Sequence, residues 1–323
     1  MTDDAHTLLA VDLGGTKVAA ARLTQDGRIL ERLEEPTSQD GPQPLIAQIV
    51  RMLDHLRSGA AARPLGVGIG IPAVLEPDTD FVIWAPNLNG WRDVPLRTSI
   101  EQALGLPVFV EYDGHTAVLG EWWLGAGRGY SSVAMIIVGT GIGGGLILDG
   151  RLYRGQDRLA GAAGWFALTS DPKASDPHGS SIGHWESLAA GPGIARRARR
   201  LLEQYPSSSL HQIDPQTLSA RDIFAAARQE DPLACRLVTE TAQLIGLGVA
   251  NVISLVNPEI VVLGGSVGRQ PELLPHVKNV VARWAQPASA GSVVITSSRL
   301  GPDAGLYGAA RAVLLRTVPG SSP

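Results

Sequence analysis

Three glycine-rich stretches set small polar or charged residues where a phosphate could bind. The first, "VDLGGTK" (11–17), ends an apolar run on Asp12 and continues with Gly14, Gly15, Thr16 and Lys17. Glycines let backbone N–H groups approach phosphate oxygens closely, and a strand-end carboxylate such as Asp12 can hold Mg²⁺ directly or through water. The same residues also describe a plain hairpin turn. The second, "VGTGIGGG" (138–145), formally contains G-x-G-x-x-G. A dinucleotide fold needs a helix to start there, whereas the following "LILDGRLY" reads as strand and turn. The Rossmann reading is therefore rejected, and Thr140, Gly141 and Gly143 fit a second phosphate-binding hairpin. The third, "VLGGSVG" (262–268), places Gly264 and Gly265 between a strand and a helix expected near Pro271. That junction suits a phosphate or adenosine contact, or merely a tight turn. No Walker A pattern occurs in the chain.

Asp113 follows the strand-like "PVFVEY" (107–112) and precedes the helical "HTAVLGEWWLG" (115–125). Asp is among the best N-caps. A carboxylate at the carboxyl end of a strand can equally accept a proton from an attacking hydroxyl. Spacing alone leaves both readings open.

The elements that must position these residues alternate between strand and helix, which argues an α/β protein. Strand-like runs occupy 8–13, 18–23, 66–71, 107–112, 133–138, 145–149, 260–265 and 292–297. Helical spacing marks 44–57, 94–104, 115–125, 186–203, 231–255, 271–285 and 305–316. "LLAVDLGGTKVAAARL" and "VAMIIVGTGIGGGLIL" share one plan of strand, glycine tip and strand, as a duplicated hairpin unit would. The expected division is a small lobe over 1–118 and a larger one over 119–304, with the C-terminal helix 305–318 packing back on the first.

At 323 residues the chain can bury a sizeable core. Its formal net charge of −4 offers no basic stripe for nucleic acid or an anionic membrane. The N-terminal residues lack a secretory pattern and no apolar stretch is expected to span a bilayer. The single cysteine, Cys235, fits a reducing cytoplasm and is expected as a small buried hydrophobe in a helix.

Taken together these segments resemble the ROK family of sugar kinases and repressors, over nearly the whole chain. The motifs are "DLGGTK" (12–17), "GIGIP" (68–72), "APNLNGW" (85–91), "PVFVEYDGHTAVLGE" (107–121), "GAGRG" (125–129), "GTGIGGG" (139–145), "VVLGGSV" (261–267) and "GLYGAA" (305–310). The resemblance implies a two-lobed actin-like, ribonuclease H-like ATPase fold that uses ATP and Mg²⁺. It implies Asp113 as general base toward a sugar hydroxyl, and a substrate site that includes Pro72, Asn87, Tyr112, His115, Trp165 and Glu186. It also implies a homodimer or homotetramer. Family repressors carry a DNA-binding domain before the first glycine motif; with that motif starting at Asp12, none is expected.

The chain departs from the family in its sugar contacts. Tyr112 stands where ROK kinases carry Asn. "GAAGW" (161–165) replaces "GE-x-GH", putting Ala162 for Glu and Trp165 for His. The zinc motif that follows in the family is replaced by "TSDPKASDPHGSSIGHWE", without a cysteine, so no zinc site is expected. His178, His184, Asp171 and Asp176 in that stretch read as a solvated loop rather than as metal ligands. Ala73 replaces the glycine of "GIPG". Glu186 matches the last family sugar contact. Trp165 either stacks on a ring or fills the volume left by the zinc loop. The reading favoured here is a kinase for a modified hexose or cyclitol. An ordinary glucokinase and a non-catalytic carbohydrate sensor are the alternatives.

Overall fold

The computed structural model describes residues 6–58, 62–169 and 179–318. The chain forms two compact units: one of Met1–Val133, Gly144–Gly161 and Pro302–Pro323, the other of Ala134–Gly143 and Ala162–Gly301. A cut at residue 118 would split a helix that remains whole in the first unit.

The first unit begins with strands β1 (His6–Leu13), β2 (Lys17–Thr24) and β3 (Ile29–Pro36), then helix α1 (Pro42–Ser58) and strand β4 (Arg63–Ile71). Three short strands follow, β5 (Val74–Leu75), β6 (Val82–Trp84) and β7 (Arg92–Val94). Next come α2 (Leu96–Leu104), β8 (Val108–Tyr112) and α3 (Asp113–Trp123). The main sheet has the order β3-β2-β1-β4-β8, antiparallel among β1, β2 and β3 and parallel from β1 through β4 to β8. Strand β9 (Val133–Val138) leads into the second unit. β10 (Ile142–Leu148) and β11 (Arg151–Tyr153) form an antiparallel hairpin, most of which belongs to the first.

Alternating side chains give the main sheet two apolar faces. Leu9, Val11 and Leu13 join Ile49, Leu53 and Ile100 of α1 and α2 on one side. On the other, Leu8, Ala10, Ala19 and Ala21 meet Leu306, Ala309, Ala310 and Val313 of the last helix, α12 (Ala304–Thr317). The alanines on this face bring the helix close to the sheet. A Cβ at Gly68 would strike the Ala309 carbonyl, and one at Gly308 the Thr116 carbonyl of α3.

The second unit contains β9, the parallel pair β12 (Ile260–Gly264) and β13 (Val294–Ser297), and most of the remaining helices. These are α4 (Gly179–Ile182), α5 (His184–Ala189), α6 (Gly191–Leu201), α7 (Ala220–Ala227), α8 (Pro232–Val256), α9 (Gly265–Gly268), α10 (Leu273–Trp284) and α11 (Pro287–Ser292). Contrary to the sequence expectation, α8 is long and apolar enough to cross a membrane by length and composition. Here it serves as a core helix: 61% of its most apolar window is buried, and α5, α6, α7 and α10 pack on it. Cys235 is exposed, also against expectation. The buried positions of α8 run 233, 234, 237, 238 and 241, and 235 falls on the opposite face.

The single helix expected over 186–203 is broken at Ala190, whose extended backbone (ψ 163°) separates α5 from α6. Pro192 in the first turn of α6 fits this restart. β3 went unread because "ILERLEEP" is charged at half its positions. Its side chains alternate between half-buried and exposed along the sheet edge.

Gly308→Ala should therefore cost about 3 kcal/mol of stability, since the added methyl meets backbone that cannot step aside. Gly291→Ala, where a Cβ meets nothing within 4 Å, should change stability by less than about 0.5 kcal/mol. Denaturant unfolding of both variants tests the contrast.

Candidate active site

The parallel register of β1, β4 and β8 determines which side chains gather at one sheet edge. Asp12 pairs with Gly70, Gly70 with Glu111, and Ile71 with Tyr112. The carboxyl ends of the three strands thus line up, and Asp12, Pro72 and Asp113 emerge together there. Gly70 is the rung between Asp12 and Glu111. A Cβ on it would sit 2.6 Å from the Thr116 hydroxyl, so glycine lets the first turn of α3 settle on the sheet.

Asp113 is the first residue of α3, with Tyr112 in the N-cap position. Its Oδ1 accepts the N–H of Gly114 at 2.7 Å, and the Thr116 hydroxyl donates to its carbonyl at 2.9 Å. Burial raises the Asp113 pKa to about 6, against the lowering pull of the Gly114 N–H and His115. Asp12 is raised to about 7 by burial and then by the charge of Asp113, with Lys17 and Arg32 pulling the other way and Asp303 adding to the rise. Two carboxyl groups at one sheet edge therefore both resist ionisation, a combination typical of sites that move protons or bind cations.

The tip after Asp12 is held by residues the sequence did not single out. Thr37 gives its hydroxyl to the Gly14 carbonyl at 2.7 Å and its N–H to the Thr16 carbonyl at 3.0 Å. Gln39 donates to the Gly15 carbonyl at 3.1 Å. Three successive carbonyls are thus occupied on one side, which fixes the orientation of the peptides between Asp12 and Lys17. Lys17 itself pairs with Glu34 at 3.0 Å. Gly15 lies on the Asn87 backbone: a Cβ would stand 2.8 Å from its carbonyl oxygen. Exposed Asn87 lines a recess of about 480 Å³ with Pro86, Asn89 and the ring of Trp91.

His115, expected to face substrate, has no exposed surface. Its Nε2 hydrogen-bonds the Ala160 carbonyl at 2.9 Å, and its Nδ1 lies 3.8 Å from Glu111. Its ring is packed inside the first unit, between Glu111 of β8 and the Ala160 carbonyl. Tyr112 meets this ring edge-on, with centroids 5.3 Å apart.

The second unit holds the other glycine tip. Gly139–Gly141 leads into strand β10 and not into a helix, as the rejection of a dinucleotide fold required. The Gly191 N–H at the start of α6 donates to the Gly139 carbonyl at 2.8 Å. Beside this junction is a cavity of about 660 Å³. Gly139 and Thr140 border it, Leu218, Phe224 and Val267 give it an apolar wall, and Arg221 stands among its polar groups. A helix start, a glycine tip and an apolar wall together suit a phosphate-bearing aromatic ligand. Gly264 ends β12 and Gly265 opens α9, whose Ser266 and Val267 border the cavity. Gly265 (φ +78°) lies against the Val138 backbone, where only glycine fits.

Glu186, read as a sugar contact, accepts the Ile142 N–H at 2.7 Å, so one of its oxygens anchors the tip. A Cβ on Gly141 would stand 2.8 Å from the same carboxylate. Trp165 ends a 3₁₀ turn (Ala163–Trp165) and is 58% exposed. It is therefore not a filler for a vacated volume. The ring that packs inward is the next one along the chain, Phe166, stacked on fully buried Trp185 at 5.8 Å and 9°. Leu168 donates its N–H to His184 Nδ1 at 3.1 Å. Asp171, Asp176 and His178 lie outside the described residues. Among those described, no group of three or more His, Cys, Asp or Glu could hold a metal ion.

Two α/β units, an antiparallel hairpin with a glycine tip in the first and a second glycine tip in the other, and a carboxyl pair at the ends of parallel strands define the actin-like, ribonuclease H-like class of sugar kinase. The sequence model of the ROK family matches residues 8–316, and the chain belongs to that family. It is 36% identical to a glucokinase of Halalkalibacterium halodurans, covering 93% of this chain and 92% of that one. It is 33% identical to an N-acetylmannosamine kinase of Citrobacter koseri, covering 94% and 97%. The crystal structure of a ROK family glucokinase from Streptomyces griseus in complex with glucose and AMPPNP superposes with a TM-score of 0.80. That pair is 32% identical and covers 94% and 98% of the two chains.

Because the folded protein holds the Asp12 proton up to about pH 7 and the unfolded chain releases it near 3.8, rising pH opposes folding between those values. Without nucleotide or divalent ion, Asp12→Asn should gain at least about 1 kcal/mol at pH 8, or ~2 °C in Tm. The gain should vanish at pH 4. Thermal melts across that range would show it.

Proposed function

We propose that this carbohydrate kinase transfers the γ-phosphoryl group of ATP to a hydroxyl of a modified hexose or cyclitol, with Asp113 as general base. The observation that carries the reading is the raised Asp113 carboxyl at the edge it shares with Asp12. A carboxylate with a pKa near 6 is ionised at neutral pH yet basic enough to take a proton. The acceptor hydroxyl gives its proton to Asp113 as its oxygen forms a bond to the γ-phosphorus. The bond to the β–γ bridging oxygen breaks and ADP leaves with that electron pair. Positioning and charge stabilisation then account for most of the rate.

Gly14, Gly15, Thr16, Lys17, Thr140, Gly141 and Gly143 are the assigned phosphate contacts. Gly264 and Gly265 are assigned to the nucleoside side, with the cavity walled by Phe224 and Val267 for the base. Asp12 is the residue that would hold Mg²⁺, directly or through water. Its raised proton affinity beside Asp113 is the environment a divalent cation relieves, and the ion would supply charge neutralisation to the phosphate oxygens. Pro72, Asn87, Tyr112 and Trp165 are assigned to the acceptor. Tyr112, Ala162 and Trp165 replace polar contacts of the family, and each buried partner lost costs about 1–3 kcal/mol toward a glucose-like ligand. Exposed Trp165 offers an aromatic face instead.

An ordinary glucokinase is the second reading, favoured by the 36% identity to a glucokinase across nearly the full length of both chains.

Incubation with ATP, Mg²⁺ and a pooled panel of hexoses, amino sugars and cyclitols, read by mass spectrometry, should yield a phosphorylated product other than glucose phosphate. Asp113→Asn should lower kcat by about 10²–10⁴-fold. Glucose as the best acceptor would favour the second reading, and undiminished activity of Asp113→Asn would remove the assigned base.

A further inference from the structure

Below Asp113 lies a charged cluster that the reaction scheme leaves unused. Glu111, one residue before the end of β8, is fully buried and accepts hydrogen bonds from three arginines. Arg154 grips both its oxygens (Nε at 3.2 and 3.1 Å, Nη2 at 2.7 Å), Arg316 reaches Oε1 at 2.6 Å, and Arg158 reaches Oε2 at 3.3 Å. Arg158 also binds Asp80 and the Val110 carbonyl. Burial opposes the Glu111 charge, but His115, Arg154 and Arg316 outweigh it and hold the carboxyl well below its usual range. The segment carrying Arg154 and Arg158 runs on to Ala160, whose carbonyl meets His115, and the chain leaves the first unit after Gly161.

His115 is thus gripped from two sides. Its Nε2 faces a carbonyl and its Nδ1 faces a carboxylate, and Nδ1 makes no hydrogen bond among the described residues. Both neighbours are acceptors, so the ring is held between an oxygen on each side. The ring sits two residues past Asp113, in the first turn of α3, the turn that fixes where the Asp113 carboxyl points.

The geometry points to His115 as a positioning residue: seated between Glu111 and the Ala160 carbonyl, it fixes the first turn of α3 and with it the Asp113 carboxyl, and ties the 154–160 segment to that turn. This deepens the proposed function and rests on Asp113 being the base.

The test compares wild type, His115→Ala, His115→Gln and Asp113→Asn, using the panel acceptor that wild type turns over fastest. His115→Ala should lower kcat on the order of 100-fold while ATP affinity stays within about twofold, because misplacing the base costs rate and not nucleotide binding. Gln keeps an N–H for the Ala160 carbonyl, so His115→Gln should recover to within about tenfold of the wild-type rate. Rates equal to wild type in both variants would overturn the proposal. So would a Gln variant no faster than Ala at matched Tm. If His115→Ala does not fold, His115→Leu, which fills the space without a polar atom, takes its place: a Leu variant as fast as Gln overturns the assignment. If Asp113→Asn keeps its rate, the base assignment fails by itself, whereas the Ala-to-Gln recovery still reads the His115 contact.

Discussion

The structure turns on the meeting of Asp12 and Asp113 at the carboxyl ends of parallel strands. Neither carboxyl ionises easily there, because burial strips both of water and the charge of Asp113 weighs on Asp12. Much of the first unit works to keep that arrangement. Parallel pairing of β1, β4 and β8 sets the register, and Gly70 clears the rung between the two sides. The small residues of α12 let α3 sit low enough for its first turn to reach the edge. Removing two carboxylates from water costs stability. A protein keeps such an arrangement where the strained state serves chemistry.

The two glycine tips share a hairpin plan but are braced differently. In the first, side chains from the 37–39 stretch take the carbonyls of residues 14–16. In the second, Glu186 reaches in from α5 to take the Ile142 N–H, and α6 starts against the Gly139 carbonyl. Both devices fix peptide orientation, which is what a backbone-lined phosphate site requires. The second gives Glu186 a structural task of its own, bracing the tip through the Ile142 N–H.

What the sequence made legible was local. Asp12, Asp113 and the glycine tips were readable because strand ends and glycine density are properties of a few adjacent residues. The exclusion of a dinucleotide site followed from the strand pattern after Gly144 and agrees with β10. What it hid was set by distance or direction. Arg154, Arg158 and Arg316 converge on Glu111 from far along the chain, and no spacing rule announces that. The resemblance put His115 at the substrate, yet its ring is fully buried against the Ala160 carbonyl and Glu111. Trp165 was ambiguous between filler and contact until its exposure removed the first reading. The solvent-facing Cys235 depended on which face of α8 is covered, and the covering elements lie elsewhere in the chain.

The measurement that bears most directly on the carboxyl pair is carbon NMR of the aspartate side chains in the protein without nucleotide or divalent ion, assigned with Asp12→Asn and Asp113→Asn. Two carboxyl resonances should titrate near pH 6 and 7, and removing Asp113 should lower the Asp12 transition. Titration of both near the ordinary aspartate value of 3.8, with Asp12 indifferent to the loss of Asp113, would contradict this.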